Sequence, residues 1–293
     1  GVLETARRAE SFGDCWHGAA KLASEAAKLC GAGSVEIRNT IDSMVGDLEL
    51  DVEGGTRIWI PKLRAAEEMV AEVIGLLARE EAEDAGLEGS YSWLAADQMK
   101  ALFHILTTHF SVVTGGPGTG KTTLVRALLD EADRRGWSSE CMAPTGRAAK
   151  RMIEQTGRQA LTIHKALCPE FSGGRLRFAR DSIDVDLLVV DEVSMLDILL
   201  AKSLLSRVSP PTRVVMVGDP DQLPAVGAGN VLADVIAGAP DLVCQLETIK
   251  RQEPGRLLEA AHEIRRGCEP ELPNRPGDDL MLISEPDASR AGA

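Results

Sequence analysis

Aromatic side chains are scarce. Phe, Trp and Tyr together make up 3% of the 293 residues, so aliphatic side chains must build the cores. Long apolar runs are absent: none approaches the roughly 20 residues that a membrane-spanning helix needs, and no secretory leader pattern opens the chain. The expectation is a cytoplasmic protein with no membrane partner. Paired cysteines are missing too. Cys15, Cys30, Cys141, Cys168, Cys244 and Cys268 form no C-x-x-C pair and no zinc spacing, which leaves buried free thiols in a reducing compartment. A general excess of positive charge is also lacking. The net charge is −13, and residues 1–90 alone carry −9, which speaks against that part as a nucleic-acid surface.

What is present is an ordinary globular composition, 44% apolar, in a chain long enough for two or three domains. It is organised around Ser111-Val-Val-Thr-Gly-Gly-Pro-Gly-Thr-Gly-Lys-Thr-Thr123. Ser111 to Thr114 read as a short buried strand. From Thr122 onward, Leu124, Val125, Leu128 and Leu129 have helical spacing. Strand, glycine loop, helix is the setting in which G-x-x-x-x-G-K-[ST] binds a phosphate chain. Gly115, Gly116, Pro117, Gly118, Thr119, Gly120, Lys121, Thr122 and Thr123 form the loop and the helix start. The glycines let successive backbone N–H groups, Pro117 excepted, point at one spot beside a helix N-terminus. Lys121 is placed to reach the β- and γ-phosphates of ATP, and the Thr122 hydroxyl to ligate Mg²⁺.

Other stretches fall into place around this loop. Residues 1–31 and Ser34 to Met44 have helical spacing. Leu48, Leu50 and Val52 alternate with acids as a half-exposed strand, Gly54-Gly55 marks a hairpin turn, and Arg57 to Ile60 return. Helices followed by a hairpin suggest a winged-helix-like module whose acidic wing (Asp47, Glu49, Asp51, Glu53) would repel phosphate. Lys62 to Asp84 predict a long helix and Glu80 to Gly89 an acidic linker. Asp97 to Leu106 predict an amphipathic helix. On it, Gln98 is either a reader of the adenine edge or an exposed surface residue.

Beyond the phosphate loop, Glu140 to Ala143 predict a strand ending in Pro144-Thr-Gly-Arg-Ala-Ala-Lys-Arg151. A loop after a parallel strand lies at the ligand-binding edge of a sheet. There Thr145 and Gly146 offer a hydroxyl and N–H groups to a phosphodiester. Residues 141–180 carry eight basic side chains (among them Arg147, Lys150, Arg151 and Lys165) against Glu154 and Glu170, a local charge of +6. That stripe suits an anionic polymer, or a solvated helix face. His164 gains weight only from this setting, and Phe171 to Phe178 read as a small basic hairpin. Asp186-Leu-Leu-Val-Val-Asp-Glu192 is a buried strand ending in two carboxylates: Asp191 to hold Mg²⁺ and Glu192 to polarise the attacking water. Arg213 to Gln222 predict another buried strand, with Gln222 as a γ-phosphate sensor. Arg251 is placed to neutralise transition-state charge.

Taken together, Gly-Gly-Pro-Gly-Thr-Gly-Lys-Thr, Ala-Pro-Thr-Gly-Arg-Ala-Ala-Lys-Arg-Met, Thr-Ile-His-Lys, Val-Asp-Glu-Val-Ser-Met and Val-Gly-Asp-Pro-Asp-Gln-Leu-Pro-Ala-Val-Gly-Ala-Gly resemble RecD-like superfamily 1 DNA helicases over residues 97–252. The N-terminal module is similar to that of the stand-alone long-form members more than to the exodeoxyribonuclease V alpha subunit. The resemblance implies an α/β fold: a P-loop RecA-like parallel sheet over residues 91–243, behind a helical and winged-helix-like module over 1–90. A small basic hairpin insertion falls near 168–184. It implies ATP and Mg²⁺ as cofactors, Gln98 as adenine reader, Gln222 as sensor and Arg251 as arginine finger. Thr145, Gly146, Arg147 and His164 would lie beside single-stranded DNA, with movement 5′ to 3′ on tailed duplexes in recombination or repair. Lys250 stands where members often carry an aromatic. Residues 244–293 are expected to be the start of a second RecA-like domain cut short at the C-terminus. The competing readings are a DNA-binding or protein-docking ATPase that never unwinds, and a small-molecule kinase.

Overall fold

The computed structural model describes residues 1–10, 13–47, 49–80, 86–172, 175–248, 260, 263–264 and 267–269. Two compact units are distinguished, Gly1–Thr248 and Ile249–Ala293. In the second, the few described residues include helical Glu263 and Ile264, closed where Gly267 N–H donates to Ile264 O. Lys250 and Arg251 lie outside the described residues.

The first unit begins with α1 (Val2–Glu10), β1 (Trp16–Gly18), α2 (Ala19–Cys30), α3 (Ser34–Gly46), β2 (Asp51–Glu53) and β3 (Arg57–Trp59). β1 and β2 flank β3 antiparallel, giving a three-stranded sheet in the order β1-β3-β2. The helical pattern predicted through residues 1–31 is therefore broken. Three residues around His17 leave the helix to pair with the hairpin, too few to show an alternation of their own. Leu50, expected within a half-exposed strand, is buried just ahead of β2. With Val2, Ala6, Leu22, Ala23, Ala26, Ile37, Ile41 and Ile58 it fills a small separate core.

Pro61 opens α4 (Pro61–Arg79) at its first turn, where its missing N–H has no helical partner to lose. The buried face of α4, Leu63, Ala66, Val70, Ile74 and Leu77, packs into the core under the large sheet, not into the N-terminal core. Each large side chain so buried contributes about 1.5–3 kcal/mol. α4 thus belongs to the sheet's core, and it meets the N-terminal module through Cys15 and Trp59, which share that core, and through the Lys62–Glu10 and Arg64–Asp51 ion pairs.

The rest is α5 (Ala96–Leu106), β4 (Phe110–Gly115), α6 (Lys121–Arg134), β5 (Ser139–Ala143), α7 (Gly146–Thr156), β6 (Ala160–Thr162), α8 (Ile163–Ala166), β7 (Pro169–Ser172), β8 (Arg175–Phe178), β9 (Leu187–Val190), α9 (Ile198–Leu205), β10 (Arg213–Gly218), α10 (Val231–Gly238) and β11 (Val243–Leu246). Six strands form one parallel sheet in the order β11-β4-β10-β9-β5-β6. Its strands are apolar on both faces, as a parallel sheet covered by helices on each side requires. Val112, Leu188, Val190, Val214 and Met216 face the core shared with α4 and α9. Their neighbours Val113, Leu187, Val189, Val215 and Val217 face the core under α5, α6 and α7. The α/β class and parallel sheet read from the sequence are what the chain forms. Residues 244–246, expected to open a second domain, are instead the edge strand of this sheet, with Leu246 in register with Gly115. β7 and β8 make the expected hairpin, Glu170 opposite Arg177, with Phe171 83% exposed.

The end of the acidic linker is fixed by one buried carboxylate. Glu131 on α6 accepts from Glu88 N–H at 2.8 Å, Gly89 N–H at 3.1 Å and Tyr91 O–H at 2.7 Å, and pairs with Arg135 at 3.0 Å. Burial alone would raise its pKa, but these donors together hold it below the usual carboxylate range.

Candidate nucleotide site

β4 delivers the chain to the sheet's carboxyl edge, and the loop Gly116–Gly120 turns it into α6. Gly118 and Gly120 sit at φ +82 and +80, the left-handed region that glycine adopts without strain. Gly120 is also pressed from below: a Cβ there would collide with Gln98 Nε2. One at Gly115 would come to 2.7 Å from both Leu246 O and Thr119 Oγ1. The loop is tied internally by Thr119 Oγ1–H to Gly116 O at 2.9 Å, and Lys121 Nζ donates to the carbonyls of Gly115 and Gly116.

Gln98 is fully buried beneath this loop. Its Nε2 donates to Thr119 O and Gly120 O, both at 3.1 Å, and its Oε1 accepts from Ala95 N–H at 3.0 Å. The exposed reading of Gln98 is overturned, and its amide is turned onto the phosphate loop instead of outward to a base. The reason is local: two loop carbonyls need donors, and the first turn of α5 brings an amide to them.

Three acids from neighbouring strands act on Lys121. Burial pulls the ammonium pKa down, and Asp219, Glu192 and Asp191 oppose that in this order. Asp191 follows β9 and is half-buried; burial raises its carboxyl pKa, and the N–H of Glu192, at 2.9 Å, partly offsets this. Thr122 and Asp191 follow β4 and β9 at the same edge of the sheet, and a threonine hydroxyl and a carboxylate are hard oxygen donors, the kind that suits Mg²⁺. Thr122 and Asp191 would hold it, and it would supply charge neutralisation to a bound phosphate chain. Glu192 stands in the left-handed region at φ +55, ψ +42, uncommon outside glycine. Its carboxylate lies 3.7 Å from Arg151 Nη1. Asp219, 2% exposed at the end of β10, was not singled out by sequence reasoning. The signal was there: an acid directly after the apolar run Val214–Gly218. Gln222 lies exposed three residues on, its N–H bonded to Asp219 O at 3.1 Å.

Thr145 caps α7, its hydroxyl accepting from Ala148 N–H at 3.2 Å. Gly146 and Arg147 are exposed beside it. His164 is exposed, its ring 5.8 Å from that of Phe178. The basic window is less open than its +6 suggests. Arg158 pairs with Asp130 and Asp133, Arg180 with Glu140, and Arg151 with Glu192. Among the described residues, Arg147 and Lys165 enter no ion pair within 4.0 Å.

A family model described as an AAA domain matches residues 93–275. The chain is 37% identical over 276 residues to the ATP-dependent RecD2 DNA helicase of Deinococcus radiodurans, covering 92% of this chain and 37% of that protein. It is 39% identical over 181 residues to the RecBCD enzyme subunit RecD of Mycolicibacterium smegmatis, covering 53% of this chain and 33% of that one. The chain belongs to the AAA-domain family and is RecD-like. It spans about a third of the length of these curated relatives. A crystal structure of Pif1 helicase from Candida albicans is similar at 24% identity and a TM-score of 0.47, covering 61% of this chain and 45% of that one. The RecD-like chain carries, among its described residues, no helix long and apolar enough to cross a membrane.

Proposed function

We propose that this RecD-like chain is the N-terminal module and first motor domain of an ATP-dependent DNA helicase of recombination or repair, moving 5′ to 3′ along single-stranded DNA. The observation that carries the reading is topological: β4, β10 and β9 are adjacent parallel strands, and their carboxyl ends bring the phosphate loop, Asp219, and Asp191 with Glu192 to one sheet edge. A phosphate-binding lysine, a metal-side carboxylate and a candidate base at one sheet edge suit attack of water on a terminal phosphate. Lys121 stabilises the phosphates, Glu192 takes the proton from the attacking water, and Gln222 senses the terminal phosphate. Gln98 serves by holding the loop from beneath; reading adenine would require its buried amide to turn. Thr145, Gly146, Arg147 and His164 line the path of the strand, and Arg251 supplies the finger from the segment after residue 248.

Translocation requires two motor domains that close on ATP and open after hydrolysis. These 293 residues alone are therefore expected to bind ATP, hydrolyse it feebly and leave a duplex intact. A strand-displacement assay on a 5′-tailed duplex tests this. Unwinding by a longer form carrying a second motor domain, with none by the 293 residues, supports the reading. Hydrolysis without unwinding in the longer form favours a DNA-binding or docking ATPase.

A further inference from the structure

α7 begins at the loop assigned above to the DNA strand, and its far end lies against the nucleotide site. Gln155 Oε1 accepts from the Thr122 hydroxyl at 3.2 Å. One turn earlier, Arg151 Nη1 lies 3.7 Å from Glu192 Oε1. Another turn back is Arg147. Residues 147, 151 and 155 are four apart and so share one face of the helix. That face reaches from the strand-side loop to the two groups that the hydrolysis reading needs most, the hydroxyl for the metal and the carboxylate for water.

We infer that α7 couples the two sites, with Gln155 and Arg151 as positioning residues for Thr122 and Glu192. The inference rests on the nucleotide-site reading above. A threonine hydroxyl has one hydrogen and two lone pairs. With the hydrogen held by Gln155, the rotor is fixed and a lone pair is left to face a cation. Outer-shell partners of this kind typically change metal affinity by about 10–100-fold. Arg151 works differently. Its side chain is 61% exposed, so its bond to Glu192 is a partly solvated ion pair that a phosphodiester can outcompete. A strand lying along the start of α7 draws Arg151 away and takes its positive charge from beside Glu192, so that strand and nucleotide site compete for one guanidinium. Strand binding and nucleotide binding are then reciprocal through one helix.

The test uses the 293-residue chain, a fluorescent ATP analogue, Mg²⁺ and an oligothymidylate. For Gln155→Ala, the gain in nucleotide affinity brought by Mg²⁺ is expected to fall by about tenfold or more, with Mg²⁺-free affinity nearly unchanged. Gln155→Glu, which keeps an acceptor, should restore the gain. For Arg151→Ala, the factor by which oligothymidylate alters nucleotide affinity, about fivefold or more in the parent, should collapse towards one. Gln155→Ala with an unchanged Mg²⁺ gain, or Arg151→Ala with unchanged coupling, overturns the inference. So does a parent chain showing no coupling. Lys121→Ala separates the two claims: if it binds nucleotide as the parent does, the nucleotide-site reading itself is wrong.

Discussion

The Asp97 carboxylate accepts the N–H of Thr248 at 2.8 Å across 151 positions of sequence, and that of Glu247 at 2.9 Å. Its other oxygen accepts Gln98 N–H at 2.8 Å, and the side chain of Gln98 in turn holds the phosphate loop. Two consecutive residues thus fasten the nucleotide loop and the strand exit that leads towards Arg251. Burial raises the Asp97 carboxyl pKa, but the donated N–H groups outweigh it and hold it below its ordinary value. A depressed carboxyl stabilises the fold fully above its unfolded pKa and loses that contribution as pH falls through the folded one. Asp97→Asn is therefore expected to lower Tm at neutral pH by the equivalent of about 1–3 kcal/mol. The gap to the parent should close on acidification, and a gap constant with pH would refute the bond.

Glu131→Gln should cost more. The amide offers one acceptor oxygen where the carboxylate offers two, and each buried donor left unsatisfied costs about 1–3 kcal/mol. Because the Glu131 carboxyl is also depressed, the loss is expected above the ordinary carboxylate range and should shrink in acid. Thermal melts of both proteins across acid and neutral pH measure it.

Lys121→Ala should abolish nucleotide hydrolysis while leaving the circular dichroism spectrum and cooperative melt in place. Its side chain bonds only loop carbonyls, and the sheet does not depend on it. Parent-like turnover would show that the loop is not the phosphate site.

Glu192→Gln should bind ATP with Mg²⁺ near parent affinity and turn it over about 10²–10⁴-fold more slowly. Weakened binding with unchanged turnover would remove Glu192 from the role of base.

Affinity for single-stranded DNA should fall with salt, but less steeply than a +6 window implies, because Arg158 and Arg180 are paired within the protein. Arg147→Ala and Lys165→Ala should each reduce the slope of log affinity against log salt by about one. Arg158→Ala should leave it unchanged, as titrations at several salt concentrations would reveal.

The phosphate loop was legible because its chemistry is contiguous: apolar strand, glycines, lysine and helix follow one another within thirteen residues. The parallel sheet followed from apolar runs that end in acids or glycine. Gln98 was not legible, since its partners are loop carbonyls more than twenty positions away. β1 was hidden because three residues cannot show a period. The internal pairing of the basic window escaped a charge count because Asp130, Asp133, Glu140 and Glu192 lie outside the window and meet it only in the fold.

The N-terminal module touches the loop that follows Gln222 at a telling place. Gly229 N–H donates to Gly13 O at 2.9 Å, and a Cβ at Gly229 would press on Ile198 and Cys15. Whatever displaces that loop must carry residue 13 with it or break the bond. Residue 13 and that loop are thus latched by a single backbone hydrogen bond, and neither can shift far without straining or breaking it.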